Sequence, residues 1–441
     1  MKRLFLTFAS CCALWVTAQT SRQMQIYFES VLRGREVPLV GKEFSLNRLP
    51  AMRAAVWKAW VQANQKLNGP GLPQLDSLSA APRGQWVLPQ QLEPNAQMPF
   101  YFGCKGNCPE GGYPFFLYLH GSGPKEREWS NGLILSARFA DSPSMYFIPQ
   151  IPNEGKWYRW WQQSKQFAWE LLLRQVLLRK DVNPNRLYVF GISEGGYGSQ
   201  RLASFYADYW AAAGPMAGGE PLKNAPAENL SNTPFSLLTG ANDKGFYRDK
   251  LTRYTLQALD SLQQLYPQAY KHRVELIPGR GHHIDYSPTT PWLRSFERHP
   301  WPSKYIWEDY EMDGRHRKGF ANLLVNQRPS DNQRTRYEVN VQDNKVDINV
   351  YDVTYTTTET DSVYGIELKF DRVYRPSRKG SFTIFLNEHM VDLKRPVEVV
   401  VNGQKVFADK LTLSTANLQQ SLSAFYDPER IFPAAVRVEL K

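Results

Sequence analysis

A serine set between glycines, Gly191-Ile192-Ser193-Glu194-Gly195, constrains this chain more than any other stretch. The residues before it, Leu187 to Phe190, are an unbroken run of apolar, β-branched and aromatic side chains. Such a run suits a strand buried on both faces. After it, Gly198, Leu202, Phe205 and Tyr209 recur at helical spacing and predict a helix with one apolar face. Strand, Gly-x-Ser-x-Gly, helix is the setting that a nucleophile elbow requires. The reason is steric: the serine sits in a strained turn whose backbone approaches neighbouring segments, and glycines leave room for that. The pentapeptide alone also fits an ordinary glycine-rich turn, so its meaning depends on the rest of the chain.

From about residue 96 to 300, short apolar strands alternate with amphipathic helices, the signature of a largely parallel sheet covered on both faces. Strands are expected at Phe115–Leu119, Met145–Ile148, Leu187–Phe190, Phe235–Thr239 and Val274–Ile277. Helices are expected near 161–179, 195–209 and 247–266. Open sheets of this kind carry their sites in loops at strand C-termini. Three such loops hold reactive residue types.

After Phe115–Leu119 comes His120-Gly121-Ser122-Gly123-Pro124, a turn whose backbone amides can face a developing oxyanion. The matching second donor is the amide of Glu194, the residue after the serine. His120 itself reads as a structural turn residue rather than a base. After strand 235–239 comes Gly240-Ala241-Asn242-Asp243. There a carboxylate can accept the Nδ1–H of a histidine and fix its tautomer, although Asp after Gly is also a common turn former. After strand 274–277 comes Gly279-Arg280-Gly281-His282-His283-Ile284-Asp285. His282 is placed to take the proton of Ser193, with His283 as the alternative base; Asp285 reads as a turn or capping group. The chain order Ser193, Asp243, His282 matches that of α/β-hydrolases.

Residues 96–300 resemble the secreted α/β-hydrolase esterases of the feruloyl/acetylxylan esterase and polyhydroxybutyrate-depolymerase type. The resemblance rests on Tyr118-Leu119-His120-Gly121, on Asp181-Val-Asn-Pro-Asn-Arg186 leading into the elbow, and on Gly214-Pro-Met-Ala-Gly218. It implies an α/β-hydrolase fold, Ser193 as nucleophile, Asp243 as acid, His282 as base, and the Ser122 and Glu194 amides as oxyanion hole. The double glycine Gly195-Gly196 is also similar to prolyl-oligopeptidase-like peptidases. The segment upstream is too short for a propeller and shows no such repeat.

The first residues read as a secretory signal peptide over 1–18: Lys2 and Arg3, an apolar stretch from Leu4 to Val16, then small residues before a cut at Gln19. Acylation of Cys11 would be the lipoprotein alternative. No later stretch is apolar for long enough to span a membrane, which predicts a secreted or periplasmic protein. Four cysteines are present, and Cys11 and Cys12 leave with the leader. In an oxidising compartment Cys104 and Cys108 then read as a small disulfide loop, since a metal site lacks further ligands. The net charge of +11 is scattered without a basic run, so it gives no support to a nucleic-acid partner.

Residues 19–95 form an N-terminal extension with a helix from Pro50 to about Leu67 that presents Met52, Val56, Trp60 and Ala63 on one face. The catalytic α/β region is bounded at 96–302. Beyond it, 303–441 shows a period of two, with Val346, Ile348 and Val350 alternating with polar residues. Asn402-Gly403 marks a type I′ hairpin there, and the region reads as an all-β sandwich. The aromatic segment Trp157-Tyr158-Arg159-Trp160-Trp161 has two readings. It packs in the core, or Trp160 and Trp161 form a rim that stacks on sugar or phenolic groups.

The expectation is an exported, cofactor-free serine hydrolase of carboxylic esters, with small-molecule or oligosaccharide esters as substrates. A peptidase and a non-catalytic glycan-binding protein are the alternatives.

Overall fold

The computed structural model describes residues 22–67, 69–329 and 334–441; the expected leader, with Cys11 and Cys12, lies outside them. An eight-stranded sheet is built from β1 (Gly84–Val87), β2 (Gln97–Lys105), β3 (Tyr113–Leu119), β4 (Ser144–Pro149), β5 (Val182–Ile192), β6 (Ala212–Met216), β7 (Phe235–Gly240) and β8 (His272–Ile277). Its strand order is β1-β2-β4-β3-β5-β6-β7-β8. Only the β1–β2 and β2–β4 pairings are antiparallel, and every pairing from β4 to β8 is parallel.

The helices are α1 (residues 22–32), α2 (Leu49–Lys66), α3 (Lys125–Arg138), α4 (Gln163–Leu177), α5 (Glu194–Phe205), α6 (Arg248–Leu265), α7 (Thr289–Arg294) and α8 (Thr415–Phe425). Alternate residues of the central strands feed two separate cores. Phe115, Leu117, Leu187 and Val189 join the cluster that includes Trp169 and Leu172 of α4 and Leu202 of α5. Phe116, Tyr118, Tyr188 and Phe190 join Trp129 and Leu133 of α3 and Leu293 of α7. Both faces are therefore dry, and this is why these strands carry unbroken apolar runs. Each such side chain contributes about 1.5–3 kcal/mol on burial. No helix of the described residues is long and apolar enough to cross a membrane.

The remaining strands are β9 (Lys304–Asp309), β10 (Gly319–Phe320), β11 (Leu323–Gln327), β12 (Arg334–Gln342), β13 (Lys345–Thr360), β14 (Glu367–Pro376), β15 (Ser381–Leu386), β16 (Val397–Val401), β17 (Gln404–Asp409) and β18 (Ala434–Glu439). They form a four-stranded sheet, β10-β11-β15-β18, and a six-stranded one, β17-β16-β13-β12-β9 with β14 on β13. Aromatic contacts bridge the two: Tyr337 of β12 lies 5.7 Å from Phe382 of β15, and Trp307 of β9 lies 5.5 Å from Phe320 of β10. The β16–β17 turn has φ of 49° at Asn402 and 76° at Gly403, as a type I′ turn requires.

Two expectations are corrected here. The C-terminal region is not all-β, because α8 lies within it, capped by the Ser414 hydroxyl accepting from the Asn417 amide. Its partner is α2: Trp60 of α2 stacks at 5.9 Å on Tyr426, the residue that ends α8. Leu418, Leu422 and Phe425 are spaced for one apolar face, a helical period inside a region otherwise of period two. Second, Cys104 and Cys108 are free thiols. Cys104 is fixed in β2 opposite Met145, with Ser77 on its other side, whereas Cys108 is exposed beyond the turn at Gly106. The strand pairing holds the first, and the thiol of the second is directed to the carbonyls of Pro109 and Asp181.

The β13–β14 hairpin reaches from this region to the eight-stranded unit. Asp361 holds its turn by accepting from the amides of Val363, Tyr364 and Ile366. Lys223–Glu367 and Lys250–Glu359 ion pairs, both at 2.7 Å, and a Phe246–Tyr364 ring contact at 4.6 Å dock it. Deeper in the same interface lies a buried ionic cluster. Asp208 meets Arg317 at 3.0 Å and Arg430 at 2.5 Å, while Asp427 meets Arg298 at 2.6 Å and Arg430 at 2.8 Å.

Candidate active site

Ser193 stands between the end of β5 and the first residue of α5, at φ 58° and ψ −114°. Such a positive-φ conformation is strained for a non-glycine residue and survives only where its surroundings enforce it. Its amide donates to the Met216 carbonyl at 2.9 Å, and its carbonyl accepts from Tyr197 at 3.0 Å. A Cβ on Gly195 would sit 1.9 Å from the Leu119 carbonyl oxygen, so the end of β3 can pass beneath the elbow only if that residue is glycine.

The loops after β7 and β8 touch in the same way. A Cβ on Gly240 would lie 1.9 Å from the Gly281 carbonyl oxygen, and the Asn242 amide donates to the Arg280 carbonyl at 2.8 Å. This backbone contact brings two distant side chains together. His282 Nδ1 lies 2.7 Å from Asp243 Oδ2, and His282 Nε2 lies 2.9 Å from Ser193 Oγ. With a carboxylate on one side, Nδ1 carries the proton and Nε2 is free to accept from the serine. His283 is exposed, and Asp285 accepts from the Ser287 amide at 2.9 Å, a turn contact.

The loop after β3 is pinned from behind. His120 is fully buried; its Nε2 accepts from the Ile151 amide at 3.1 Å, so Nδ1 donates to the Gly121 carbonyl at 2.8 Å. Burial pushes this imidazole down to about 4, which keeps it neutral. Tyr158 donates to the same Gly121 carbonyl at 2.8 Å, and Trp160 Nε1 donates to the His120 carbonyl at 2.9 Å. Among the described residues, neither the Ser122 nor the Glu194 amide has an acceptor, and both residues line the cavity that holds Ser193.

That cavity is about 440 Å³ and is also lined by Arg159, Trp161, Arg201, Glu220 and Arg248, with Ile366 and Glu367 contributed by the hairpin. The two tryptophans of the aromatic segment part company here. Trp160 is fully buried, packed on Gly198 of α5 and edge-on to His120 at 4.9 Å, so it supports the loop after β3 and does not line the cavity. A residue whose indole N–H must reach His120 has no freedom to face the solvent. Trp161 does line the cavity, with the Arg201 guanidinium 3.9 Å from its ring centre.

Several contributors had no legible signal in the sequence. Arg248 opens α6 and holds the second oxygen of Asp243, Nη1 to Oδ1 at 2.9 Å. Arg159 pairs with Glu194 at 3.2 Å and was visible only as a charge inside an aromatic run. Glu194 is pushed up to about 7, chiefly by burial, with Arg159 opposing the rise.

No protein-family model matches the chain, and no curated protein matches it. Similar solved structures include a thermostable esterase (20% identity, 46% of this chain, TM-score 0.38). This chain spans 60% of the length of that protein. A ferulic acid esterase is similar at 12% identity over 51% of this chain and 99% of that one, with a TM-score of 0.37. A poly(3-hydroxybutyrate) depolymerase from Bordetella parapertussis is similar at 14% identity over 45% of this chain and 84% of that one, with a TM-score of 0.34.

Proposed function

We propose that the chain is a serine hydrolase of carboxylic esters, with Ser193 as nucleophile, His282 as general base and acid, and Asp243 as the group that orients it. The observation that carries this reading is the continuous hydrogen-bond chain Ser193–His282–Asp243, at 2.9 and 2.7 Å, inside a cavity with two unused amides. Ser193 Oγ attacks the acyl carbon while His282 Nε2 removes its proton. The oxyanion is held by the Ser122 and Glu194 amides. His282 then gives the proton to the departing alcohol, and water repeats the sequence on the acyl-enzyme to free the acid.

Carbohydrate-linked acyl esters are the substrates this reading favours. Glu220, Asn224 and the arginines supply both donors and acceptors for hydroxyl groups, beside Trp161. The working division is an extension over 19–95 that also supplies β1 to the large sheet, a catalytic region over 96–302 and an accessory region over 303–441 that lends a wall to the site. Export through a leader at 1–18 belongs to the same proposal.

A fluorophosphonate probe tests the reading directly. The expected result is stoichiometric labelling at Ser193 together with turnover of 4-nitrophenyl acetate. An unlabelled protein that still binds oligosaccharides would replace this proposal with a glycan-binding role, and a preference for peptide amides over every ester would make it a peptidase.

A further inference from the structure

We propose that the substrate carries a carboxylate, gripped by Arg159 with support from Arg248. The inference rests on the ester-hydrolase reading and names its substrate class. Three guanidiniums, from Arg159, Arg201 and Arg248, line one cavity of about 440 Å³. Arg159 and Arg201 both gather around Trp161, at 5.9 and 3.9 Å from its ring centre. Collecting like charges in a partly dry cavity is unfavourable unless anions share it.

The resident anions do not match them. Arg201 is satisfied by Glu220, through Nε at 2.8 Å and Nη2 at 3.0 Å. Glu367 is matched by Lys223 at 2.7 Å and adds no net charge. Arg248 spends Nη1 on Asp243, but its Nε is buried without a partner, as is the Tyr197 hydroxyl beside it. Arg159 has one anion, Glu194 at 3.2 Å, and the same Nη1 donates to the Tyr158 carbonyl at 2.8 Å; burial pushes the Glu194 carboxyl up to about 7, which weakens that anion. The cavity is therefore left with a positive charge that is only partly compensated, and with unused guanidinium donors.

The placement adds to this. Arg159 is tied to Glu194, the residue after Ser193, and Arg248 to Asp243, so both guanidiniums are anchored beside the nucleophile in one cavity. A carboxylate presents two coplanar acceptors, the geometry a guanidinium fork takes up best. An incoming carboxylate at Arg159 would displace Glu194, which accepts a proton readily and then becomes a neutral donor. Its Oε1, buried and unpartnered, is free to carry that proton.

The test separates binding from turnover by using Ser193→Ala, measured by titration calorimetry with two matched pairs of esters. One pair places the charge on the alcohol side, 4-acetoxybenzoate against methyl 4-acetoxybenzoate. The other places it on the acyl side, 4-nitrophenyl hemiadipate against 4-nitrophenyl hexanoate. At least one carboxylate ester is expected to bind about tenfold or more tightly than its neutral partner, and adding Arg159→Gln is expected to remove that advantage. Arg159 is half-exposed, so its replacement leaves the fold intact. Equal, weaker or undetectable binding of the charged member in both pairs overturns the proposal, as does a preference unchanged by Arg159→Gln. If the native chain hydrolyses no ester while Ser193→Ala still prefers the carboxylate, the hydrolase reading falls and the anion site stands.

Discussion

Arg248 and His282 share one carboxylate: Nη1 of the arginine holds Asp243 Oδ1 at 2.9 Å, and Nδ1 of the histidine holds Oδ2 at 2.7 Å. With both oxygens engaged, the plane of the carboxylate is fixed, and with it the direction of the imidazole. Arg248 is thus a positioning residue. Arg248→Gln is expected to lower kcat for a neutral aryl acetate by roughly 10- to 100-fold with little change in KM. Arg248→Lys should recover part of the loss. An unchanged kcat in Arg248→Gln would show that Asp243 is held adequately without it.

Removal of Ser193 or His282 should be far more severe. Ser193→Ala is expected to abolish ester hydrolysis, and His282→Ala to lose about a thousandfold or more in kcat. His283→Ala should retain most of the rate, because that ring is exposed and lies 5.9 Å from His282 without a bond to Ser193. Steady-state rates on 4-nitrophenyl acetate decide between the two histidines.

Glu194 makes stability fall with pH. Its carboxyl is raised from about 4.5 to about 7 by burial, so the folded state binds a proton that the unfolded state has released. The folded protein is therefore favoured below about 4.5 and loses that advantage as pH rises through 7. Glu194→Gln keeps the backbone amide and cannot ionise. Its stability relative to the native chain, read from denaturant midpoints, should rise between pH 5 and pH 8. A constant difference across that range would contradict the shift.

The Asp208 cluster should behave in the opposite direction. Burial alone would raise this carboxyl, but Arg317 and Arg430 hold it below the ordinary value. Its contribution is present above the unfolded carboxyl range and is lost as pH falls through the lowered value. Asp208→Asn leaves Arg317 short of its partner in a fully buried place, which costs about 3–5 kcal/mol. A chemical denaturation series at neutral pH measures it, and a loss under about 1 kcal/mol would mean that Asp427 compensates.

How much of this was legible in the sequence follows from the range of each interaction. The elbow, the Gly240 loop and the His282 loop depend on residues adjacent to their strands, and the strands themselves announce double-sided burial through runs such as Tyr113–Leu119. Trp160 went astray because a periodic aromatic run does not reveal which ring must reach back to a carbonyl forty residues earlier. Helix α8 was hidden among alternating strands, its single apolar stripe answering to Trp60 and its neighbours far upstream. The Cys104–Cys108 spacing suggested a loop, but spacing says nothing of the direction in which a strand residue points. The arginines and the hairpin wall were beyond reach, since Glu367 meets the cavity only through pairings across the whole chain.

That last wall has a consequence for the order of events in synthesis. Ser193, Asp243 and His282 all leave the ribosome before any of Gly365, Ile366 or Glu367. The loops that bring these three side chains together are thus synthesised before the hairpin that lines one wall of their cavity. Of the cavity lining, the hairpin is the last part to be made.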